Sequence, residues 1–374
     1  MKKGWRALRA LLSRKLTIVC DQIPYHFSKV PIKKILNWIL VEASVLAKPG
    51  RPWGWPTHLQ IEPTNRCNLS CALCPTTIGL DRPLGHMDLG LFQKLLDEAG
   101  DHVFLILLWD WGEPFMNPAV YDMVAYARAK GIKTVSSTNG QLFSRKDQAA
   151  RLVASGLDSI IFALDGISQP TYQLYRKDGS LENVLQGIRN VVARKRELGS
   201  PRPLVNLRFI VMRENEHEIP RLKDLALSLG VDALTLKTLN PCNLDPYERN
   251  PQEIREQNPF LPRNPAYRRF KVDPSTGHVV RLIKNPCKQL WNNPVIHWNG
   301  TVCSCTYDVK DKFVLGDLSK QGFRDIWFGA PYGRMRRRFR REWEKMPLCS
   351  ECSYAYLGGD CGRETIVEAH FFNP

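Results

Sequence analysis

Three cysteines stand close together early in the chain: Cys67, Cys71 and Cys74. Their spacing, C-x3-C-x2-C, allows three thiolates to bind one face of a [4Fe–4S] cube. Such a cube normally takes four thiolates, so three leave one iron open to a small ligand. Zinc also binds thiolates, but its ligands usually come as separated C-x2-C pairs. The spacing therefore favours an iron–sulfur cluster with one open iron over a zinc site.

A second set of cysteines lies towards the C-terminus: Cys287, Cys305, Cys349 and Cys352. Four thiolates complete the coordination of an auxiliary [4Fe–4S] cluster, which would then transfer electrons or stabilise its domain. The C-x2-C pair that ends the set leaves a structural zinc site open as an alternative. Cys303 stands two residues before Cys305, and spacing favours Cys305 as the ligand without excluding its neighbour.

The segment from Glu62 to Pro75, which contains the first cysteine set, resembles the cluster motif of the radical S-adenosylmethionine (SAM) superfamily. The resemblance implies that SAM chelates the open iron through its amino and carboxylate groups. An electron from the reduced cluster would then cleave the sulfonium and release a 5′-deoxyadenosyl radical. The protein would chiefly position cofactor and substrate. A reducing partner such as flavodoxin or ferredoxin is expected.

Further residues match the SAM-binding pattern of that superfamily. Gly112, Glu113 and Pro114 resemble a Gly-Gly-Glu-Pro motif in which the glutamate accepts a hydrogen bond from the SAM amino group, although Trp111 replaces the first glycine. Glycine at this position lets the backbone approach the ligand closely.

Two strand ends and one residue of the cysteine loop extend this resemblance. It implies contacts of Asn139 and Asp165 with the SAM ribose and carboxylate, and of Leu73 with the adenine. Asn-Gly and Asp-Gly are equally common as turn dipeptides, so a purely structural role stays open for Asn139 and Asp165.

The second cysteine set resembles the SPASM/twitch C-terminal domains of radical SAM enzymes, in the shorter form with a single auxiliary cluster. Four cysteines belong to neither set: Cys20, Cys242, Cys303 and Cys361. Of these, Cys303 could replace Cys305 as a ligand. Cys242 follows the last predicted strand of the core. By resemblance to radical SAM epimerases, its thiol would return a hydrogen atom to a substrate radical. A buried cysteine that acts as a small apolar residue is the alternative.

The elements around these motifs predict an α/β fold. Short apolar runs at 59–62, 103–109, 133–136, 159–164, 205–211 and 233–237 alternate with helical patterns at 89–99, 119–130, 146–155, 181–198 and 218–229. Such alternation predicts βαβ units in a parallel sheet. Six strands are fewer than the eight of a closed barrel, so we expect a partial (β/α)6 radical SAM barrel.

Four segments follow from the changes in composition. We expect an N-terminal helical extension and linker at 1–56, a radical SAM core at 57–240, a connector at 241–285 and a small SPASM/twitch auxiliary-cluster domain with a tail at 286–374. The Arg-rich stretch at 334–341 predicts a helix with a solvated face, and nucleic acid is not expected as a partner.

The formal net charge of the chain is +16, and residues 1–51 hold eleven Lys or Arg against Asp21 and Glu42. Apolar residues among these basic ones predict amphipathic helices over 1–50, which either pack on the core or dock on an anionic membrane surface. No apolar run reaches the roughly 18–20 residues that span a bilayer, and a signal-peptide core is not recognised. A cytoplasmic location follows, with peripheral contact at the inner membrane face as the alternative.

The expected function is hydrogen-atom abstraction by a radical SAM oxidoreductase that acts on a small or carrier-linked metabolite. Epimerisation by a thiol and peptide maturation are alternatives, and the latter is weakened because no leader-binding domain of the strand-plus-helix type is recognised before residue 57. The basic N-terminus adds a lipid-linked substrate. A non-catalytic, metal-stabilised binding protein is the alternative from another class, and it predicts zinc and no SAM cleavage.

Overall fold

The computed structural model describes residues 2–240, 258–357 and 365–372 of the chain. The N-terminal segment contains helix α1 (Lys2–Ser13), strands β1 (Leu16–Cys20) and β2 (Ile23–Phe27), and helix α2 (Ile32–Ala47). In the part of the chain that is described, no helix is long and apolar enough to cross a membrane.

The hairpin β1–β2 departs from the predicted all-helical extension. Its two turn residues, Asp21 and Gln22, both have positive φ angles of 49° and 64°. Two-residue hairpin turns of this kind are usually recognised by Asn-Gly or Asp-Gly, and Gln22 removes that signal. Leu16, which falls within the predicted amphipathic helices over 1–50, is buried in β1 instead.

Six parallel strands form the centre of the main sheet, as predicted. They are β3 (His58–Ile61), β4 (Leu105–Leu108), β5 (Lys133–Thr138), β6 (Ser159–Ala163), β7 (Leu204–Val211) and β8 (Ala233–Thr238). Every residue of β4 and β6 is buried, because helices cover parallel sheets on their faces. The structure confirms the α/β class and the partial barrel.

Seven described α-helices lie between these strands: α3 (Pro75–Ile78), α4 (Leu89–Ala99), α5 (Val120–Ala129), α6 (Lys146–Ser155), α7 (Gln169–Tyr175), α8 (Leu181–Glu197) and α9 (Ile219–Leu229). Of these, α4, α5, α6, α8 and α9 begin and end close to their predicted bounds. Local capping contributes: the carboxylate of Asp88 accepts a hydrogen bond from the backbone of Leu91, and Ser180 does the same for Asn183. The sequence analysis did not anticipate α3 and α7, which are short.

The C-terminal region completes the sheet on both sides. Strands β9 (Val295–Ile296), β10 (Thr301–Cys303) and β11 (Val314–Asp317) extend it beyond β3, and β12 (Ile366–Phe371) pairs antiparallel with β8. The auxiliary domain therefore shares backbone hydrogen bonds with the core. Its short helices are α10 (Gln289–Asn292), α11 (Phe323–Trp327), α12 (Ala330–Glu342), α13 (Pro347–Ser350) and α14 (Tyr354–Leu357).

The Arg-rich helix α12 is only partly solvated, so the prediction for this helix was wrong at one position. The side chain of Arg336 is fully buried and donates hydrogen bonds to the carbonyl oxygens of Leu290 and Trp327, both at 2.8 Å. Its guanidinium also lies over the rings of Trp327 and Tyr332, at 4.3 and 4.2 Å from their centroids. These contacts replace part of the hydration that a buried cation loses, while Nη2 has no hydrogen-bond partner among the described residues.

Candidate active site

The loop after β3 carries Cys67, Cys71 and Cys74 to the carboxyl edge of the parallel strands. Backbone hydrogen bonds fix it from two sides, since Glu113 donates to the carbonyl of Arg66 at 2.8 Å and Ala72 donates to that of Tyr175 at 3.0 Å. Burial raises the pKa of the Cys67 thiol to about 12, and the charges of Glu113, Cys71 and Cys74 act in the same direction. The three thiols therefore lie within electrostatic reach of one another.

A buried ion pair lies against this loop. The guanidinium of Arg176 donates from Nε to Asp165 Oδ2 at 2.7 Å and from Nη1 to Cys71 Sγ at 3.7 Å. The other carboxylate oxygen of Asp165 accepts from the backbone of Ile210 at 2.8 Å. Both oxygens of Asp165 are thus engaged by protein groups, so in this geometry the residue orients Arg176 next to a cysteine.

Glu113 lies at the centre of the same edge and is buried. Its carboxylate accepts hydrogen bonds from Thr138 Oγ1 at 2.9 Å and from the backbone of Asn139 at 2.7 Å. Burial raises its pKa from 4.5 to about 7, and these hydrogen bonds oppose that shift. At about pH 7 the protonated and charged forms of this carboxyl group are therefore similarly populated. A neighbouring cation would favour the charged form.

Gly112 accounts for the approach of this turn to the cysteine loop. Its φ is +101°, and a Cβ atom there would overlap the carbonyl oxygen of Thr64 and lie 2.8 Å from Asn65 Cα. Only glycine satisfies both conditions, and the change of the preceding residue to Trp111 leaves this geometry in place. Pro114 follows Glu113 and begins a buried 3-10 turn, Pro114–Met116.

Asn139 also contacts the first cysteine set. Its Nδ2 donates to Asn68 Oδ1 at 2.7 Å and lies 3.8 Å from Cys67 Sγ. Leu73 is half-buried beside Cys74. The structure thus brings Asn139, Glu113 and the cysteine loop together, although they are distant in sequence.

The second cysteine set lines a single cavity, which contains Cys287, Cys305, Cys349 and Cys352 together with apolar side chains such as Leu290 and Phe339. Burial raises the pKa of Cys305 and Cys349 well above the ordinary value, and the other thiols of the set raise both further. Cys349 is buried and the other three are partly buried. Four soft donors that converge in apolar surroundings fit an iron–sulfur cluster, whose irons require deprotonated thiolates.

Cys303 lies outside that cavity, and so the structure distinguishes it from Cys305. The side chain of Cys303 is buried at the end of β10, beside His297. Cys20 belongs to the N-terminal hairpin. Cys242 and Cys361 lie outside the described residues, so the hydrogen-donor role of Cys242 stays a prediction.

Sequence reasoning missed Arg176, Thr138 and Asn68. Arg176 reaches Cys71 across 105 positions of the chain, and no local pattern links an arginine after a short helix to a distant cysteine. Thr138 precedes a recognised Asn-Gly turn, and its position at the end of β5 was the one signal that pointed to the site.

Two family models match parts of the chain. The family model of the radical SAM superfamily matches residues 61–226, and that of the SPASM iron–sulfur cluster-binding domain matches residues 287–353. The tungsten-containing aldehyde ferredoxin oxidoreductase cofactor-modifying protein of Pyrococcus furiosus is 27% identical over 325 residues, which cover 79% of this chain and 87% of that protein.

Two further matches span most of the chain. Mycofactocin maturase MftC of Mycobacterium ulcerans is 26% identical over 333 residues, which cover 85% of this chain and 84% of that protein. The structure of Streptococcus suis SuiB bound to S-adenosylmethionine aligns with a TM-score of 0.57 at 17% identity, over 90% of this chain and 80% of SuiB. At that identity the structural match shows a shared fold.

Proposed function

The chain belongs to the radical SAM superfamily, in the branch with SPASM-type auxiliary domains, and from this membership we propose which residues carry the chemistry and what the substrate is. The protein is an iron–sulfur enzyme that binds SAM, a [4Fe–4S] cluster and an auxiliary cluster. When bound, the first cluster supplies the electron that cleaves SAM to methionine and the 5′-deoxyadenosyl radical, which abstracts a hydrogen atom from the substrate.

We assign Cys67, Cys71 and Cys74 to the first cluster. One observation carries this assignment: a backbone hydrogen bond joins the Glu113 turn to the cysteine loop, and Asn139, which donates to the Glu113 carboxylate, also lies with its Nδ2 3.8 Å from Cys67 Sγ. A carboxylate in that place can accept a hydrogen bond from the SAM ammonium group.

Five neighbours complete the assignment. Gly112 allows the backbone at Glu113 to lie against the cysteine loop, and Pro114 begins the 3-10 turn that follows Glu113. Asn139 orients the loop at Cys67, and Leu73 offers an apolar contact for the adenine. Asp165 acts through Arg176.

The assigned auxiliary ligands are Cys287, Cys305, Cys349 and Cys352. A cluster bound by all four has no open iron, and it supplies an acceptor for one electron when bound. We therefore propose that the substrate is oxidised by two electrons: hydrogen-atom abstraction would remove one electron with one proton, a cluster held by these four thiolates would accept the second electron, and a second proton would leave to solvent. The expected external electron donor is a flavodoxin or ferredoxin.

The experiment that tests the site compares iron content and 5′-deoxyadenosine formation after anaerobic reconstitution. Wild type should bind about eight irons, and the Cys67→Ala/Cys71→Ala/Cys74→Ala variant about four. The variant should also form no 5′-deoxyadenosine from SAM and dithionite. Cys20→Ala is the matched control and should behave as wild type. Zinc in place of iron, with no SAM cleavage by wild type, would refute the assignment.

The substrate class requires a separate experiment. We expect a small or carrier-linked metabolite, while the relatives named above include a cofactor-modifying protein and a maturase. Fractions of a cell extract from the source organism should be tested for their ability to increase 5′-deoxyadenosine formation. Stimulation by a fraction that resists protease supports the metabolite. Stimulation that protease abolishes supports peptide maturation instead.

We also propose that α1 contacts the inner face of the membrane. Trp5, Leu8 and Leu12 are 73%, 50% and 77% exposed, and exposed Arg9 and Lys15 accompany them. An exposed apolar stripe with adjacent cations suits a surface of anionic lipids.

Vesicle sedimentation tests this contact with the reconstituted protein. Binding to phosphatidylglycerol vesicles, with little binding to phosphatidylcholine, is expected and should weaken in Leu12→Ser. Ile283→Ser is the matched control, because Ile283 is 93% exposed elsewhere on the chain. Equal sedimentation of Leu12→Ser and wild type would exclude the contact.

A further inference from the structure

A second group of metal-binding side chains lies next to the auxiliary cysteines but outside their cavity. It consists of His297 after β9, Cys303 at the end of β10 and Asp311 in the loop before β11. His297 and Cys303 are each about 1% exposed or less. None of the three lines the cavity of the four auxiliary cysteines.

The three ligand atoms have the spacing of three corners of a tetrahedron. His297 Nδ1 lies 3.0 Å from Asp311 Oδ1 and 3.7 Å from Cys303 Sγ, and Cys303 Sγ lies 3.4 Å from Asp311 Oδ1. Zinc–nitrogen and zinc–oxygen bonds of about 2.0–2.1 Å with a zinc–sulfur bond of about 2.3 Å give tetrahedral edges of about 3.3 and 3.6 Å. The observed edges therefore differ from these values by about 0.3 Å or less.

The other nitrogen of His297 is oriented by a carboxylate. Nε2 lies 3.4 Å from Asp110 Oδ2, and within the described residues neither atom has a hydrogen bond to another group. The second oxygen of Asp110 accepts from Gln60 Nε2 at 3.0 Å and from Thr306. A proton on Nε2 would satisfy Asp110, and it leaves the Nδ1 lone pair facing the Asp311 oxygen. Either a proton on Nδ1 or a metal cation must then lie between these two atoms.

We propose that His297, Cys303 and Asp311 bind a Zn²⁺ ion, with Asp110 as the positioning residue for His297. Mixed nitrogen, sulfur and oxygen donors at tetrahedral spacing suit zinc, and metal-bound histidines usually donate their other N–H to a carboxylate. The two charges of the ion balance one thiolate and one carboxylate, so the buried site carries no net charge from these ligands.

The ion stabilises the segment that carries Cys305. Asp311 adopts φ +52°, and the carboxylate of Asp308 accepts hydrogen bonds from the backbone of Lys312 and Phe313 at 2.8 and 2.7 Å. The loop thus turns back on itself and directs Asp311 towards β9 and β10. A zinc ion would connect its two ends and so hold Cys305 at the auxiliary cavity.

Zinc K-edge X-ray absorption of the reconstituted, zinc-supplemented protein tests the proposal, together with metal analysis. We expect about one zinc per chain in addition to iron, with one sulfur and three nitrogen or oxygen neighbours. Zinc with four sulfur neighbours would place the metal in the cysteine cavity and overturn the proposal. Full iron content with no bound zinc would overturn it as well.

Variants test the ligands individually. Cys303→Ala should lose the zinc and keep the iron, while Cys20→Ala should keep both. Retention of zinc with an unchanged absorption spectrum in Cys303→Ala would contradict the assignment. Asp110→Asn preserves the shape of the site, and we expect zinc affinity about 10- to 100-fold lower in chelator competition. Affinity equal to wild type in this variant would exclude the role of Asp110.

Discussion

Replacement of Arg176 by glutamine should lower the reduction potential of the cluster assigned to Cys67, Cys71 and Cys74. The guanidinium lies 3.7 Å from Cys71 Sγ, and its side chain is only 14% exposed. Its positive charge favours the reduced cluster, which carries one more negative charge than the oxidised form. Removal of that charge therefore makes reduction harder.

The magnitude follows from Coulomb's law. Two unit charges about 4 Å apart interact by about 4 kcal/mol at an effective dielectric constant of about 20. The added electron spreads over the cluster, so we take about half, about 2 kcal/mol. At about 59 mV for each factor of ten in a one-electron equilibrium, the expected shift is about −90 mV.

Asp165 provides a graded test of this reasoning. In Arg176→Gln the buried carboxylate of Asp165 remains without its cation, and its negative charge lowers the potential further. In Arg176→Gln/Asp165→Asn both charges of the pair are removed. The double variant should therefore shift the potential less than the single variant does. Lys195→Gln is the control, because it removes a cation that pairs with Asp232 instead of contacting a cysteine.

Anaerobic redox titration followed by electron paramagnetic resonance measures the potentials. Addition of SAM identifies the signal of the cluster with the open iron, since the auxiliary cluster offers no site for it. An unchanged or raised potential in Arg176→Gln would refute the argument, and so would equal shifts of both clusters.

Three further predictions concern buried charges. Glu113→Gln removes a charge-assisted hydrogen bond worth about 1.5–3 kcal/mol, so the SAM dissociation constant from equilibrium dialysis should rise about 10- to 150-fold; a change below twofold would contradict the role of Glu113. Because the pKa of Glu113 is raised to about 7, the folded protein keeps this proton where the unfolded chain has lost it. The free energy of unfolding should therefore fall by about 3 kcal/mol as the pH rises from about 4.5 to 7. Urea unfolding at pH 5 and pH 8 should show that Glu113→Gln becomes more stable relative to wild type at pH 8. A difference in the free energy of unfolding that is the same at both pH values would exclude this titration. Arg336→Met leaves the carbonyls of Leu290 and Trp327 without donors and should cost about 2–4 kcal/mol in urea unfolding, whereas the exposed Arg340→Met should cost less than about 0.5 kcal/mol; equal effects would show that burial of Arg336 is unimportant.

The local pattern of the sequence determined the core of the fold. Apolar runs that alternate with helical periodicity predicted six parallel strands, and helices such as α4 and α6 have the bounds that were expected. Each of these elements depends mainly on its own residues and their burial. The cysteine spacings are equally local, and they predict two cluster sites without reference to any strand.

Contacts between distant segments were decided by the tertiary structure alone. The contact of Arg176 with Cys71 and the burial of Arg336 depend on which elements pack together. The residues next to them in sequence form no pattern that predicts these contacts. The hairpin at Asp21 and Gln22 lacks the usual turn residues, and its partners include Arg208, whose guanidinium lies 2.7 Å from Asp21. Long-range contacts can override weak local preferences in this way.

Cys303 and Cys305 show the same limit at a single site. Side chains two residues apart point to the same face of a regular strand, so alternation alone would have placed both thiols together. Strand β10 ends at Cys303, and its pairing with β11 shifts register between Val302 and Cys303. The chain therefore leaves the strand geometry before Cys305. Spacing in the sequence identified the candidate thiols, and the backbone path between them determined which environment each one enters.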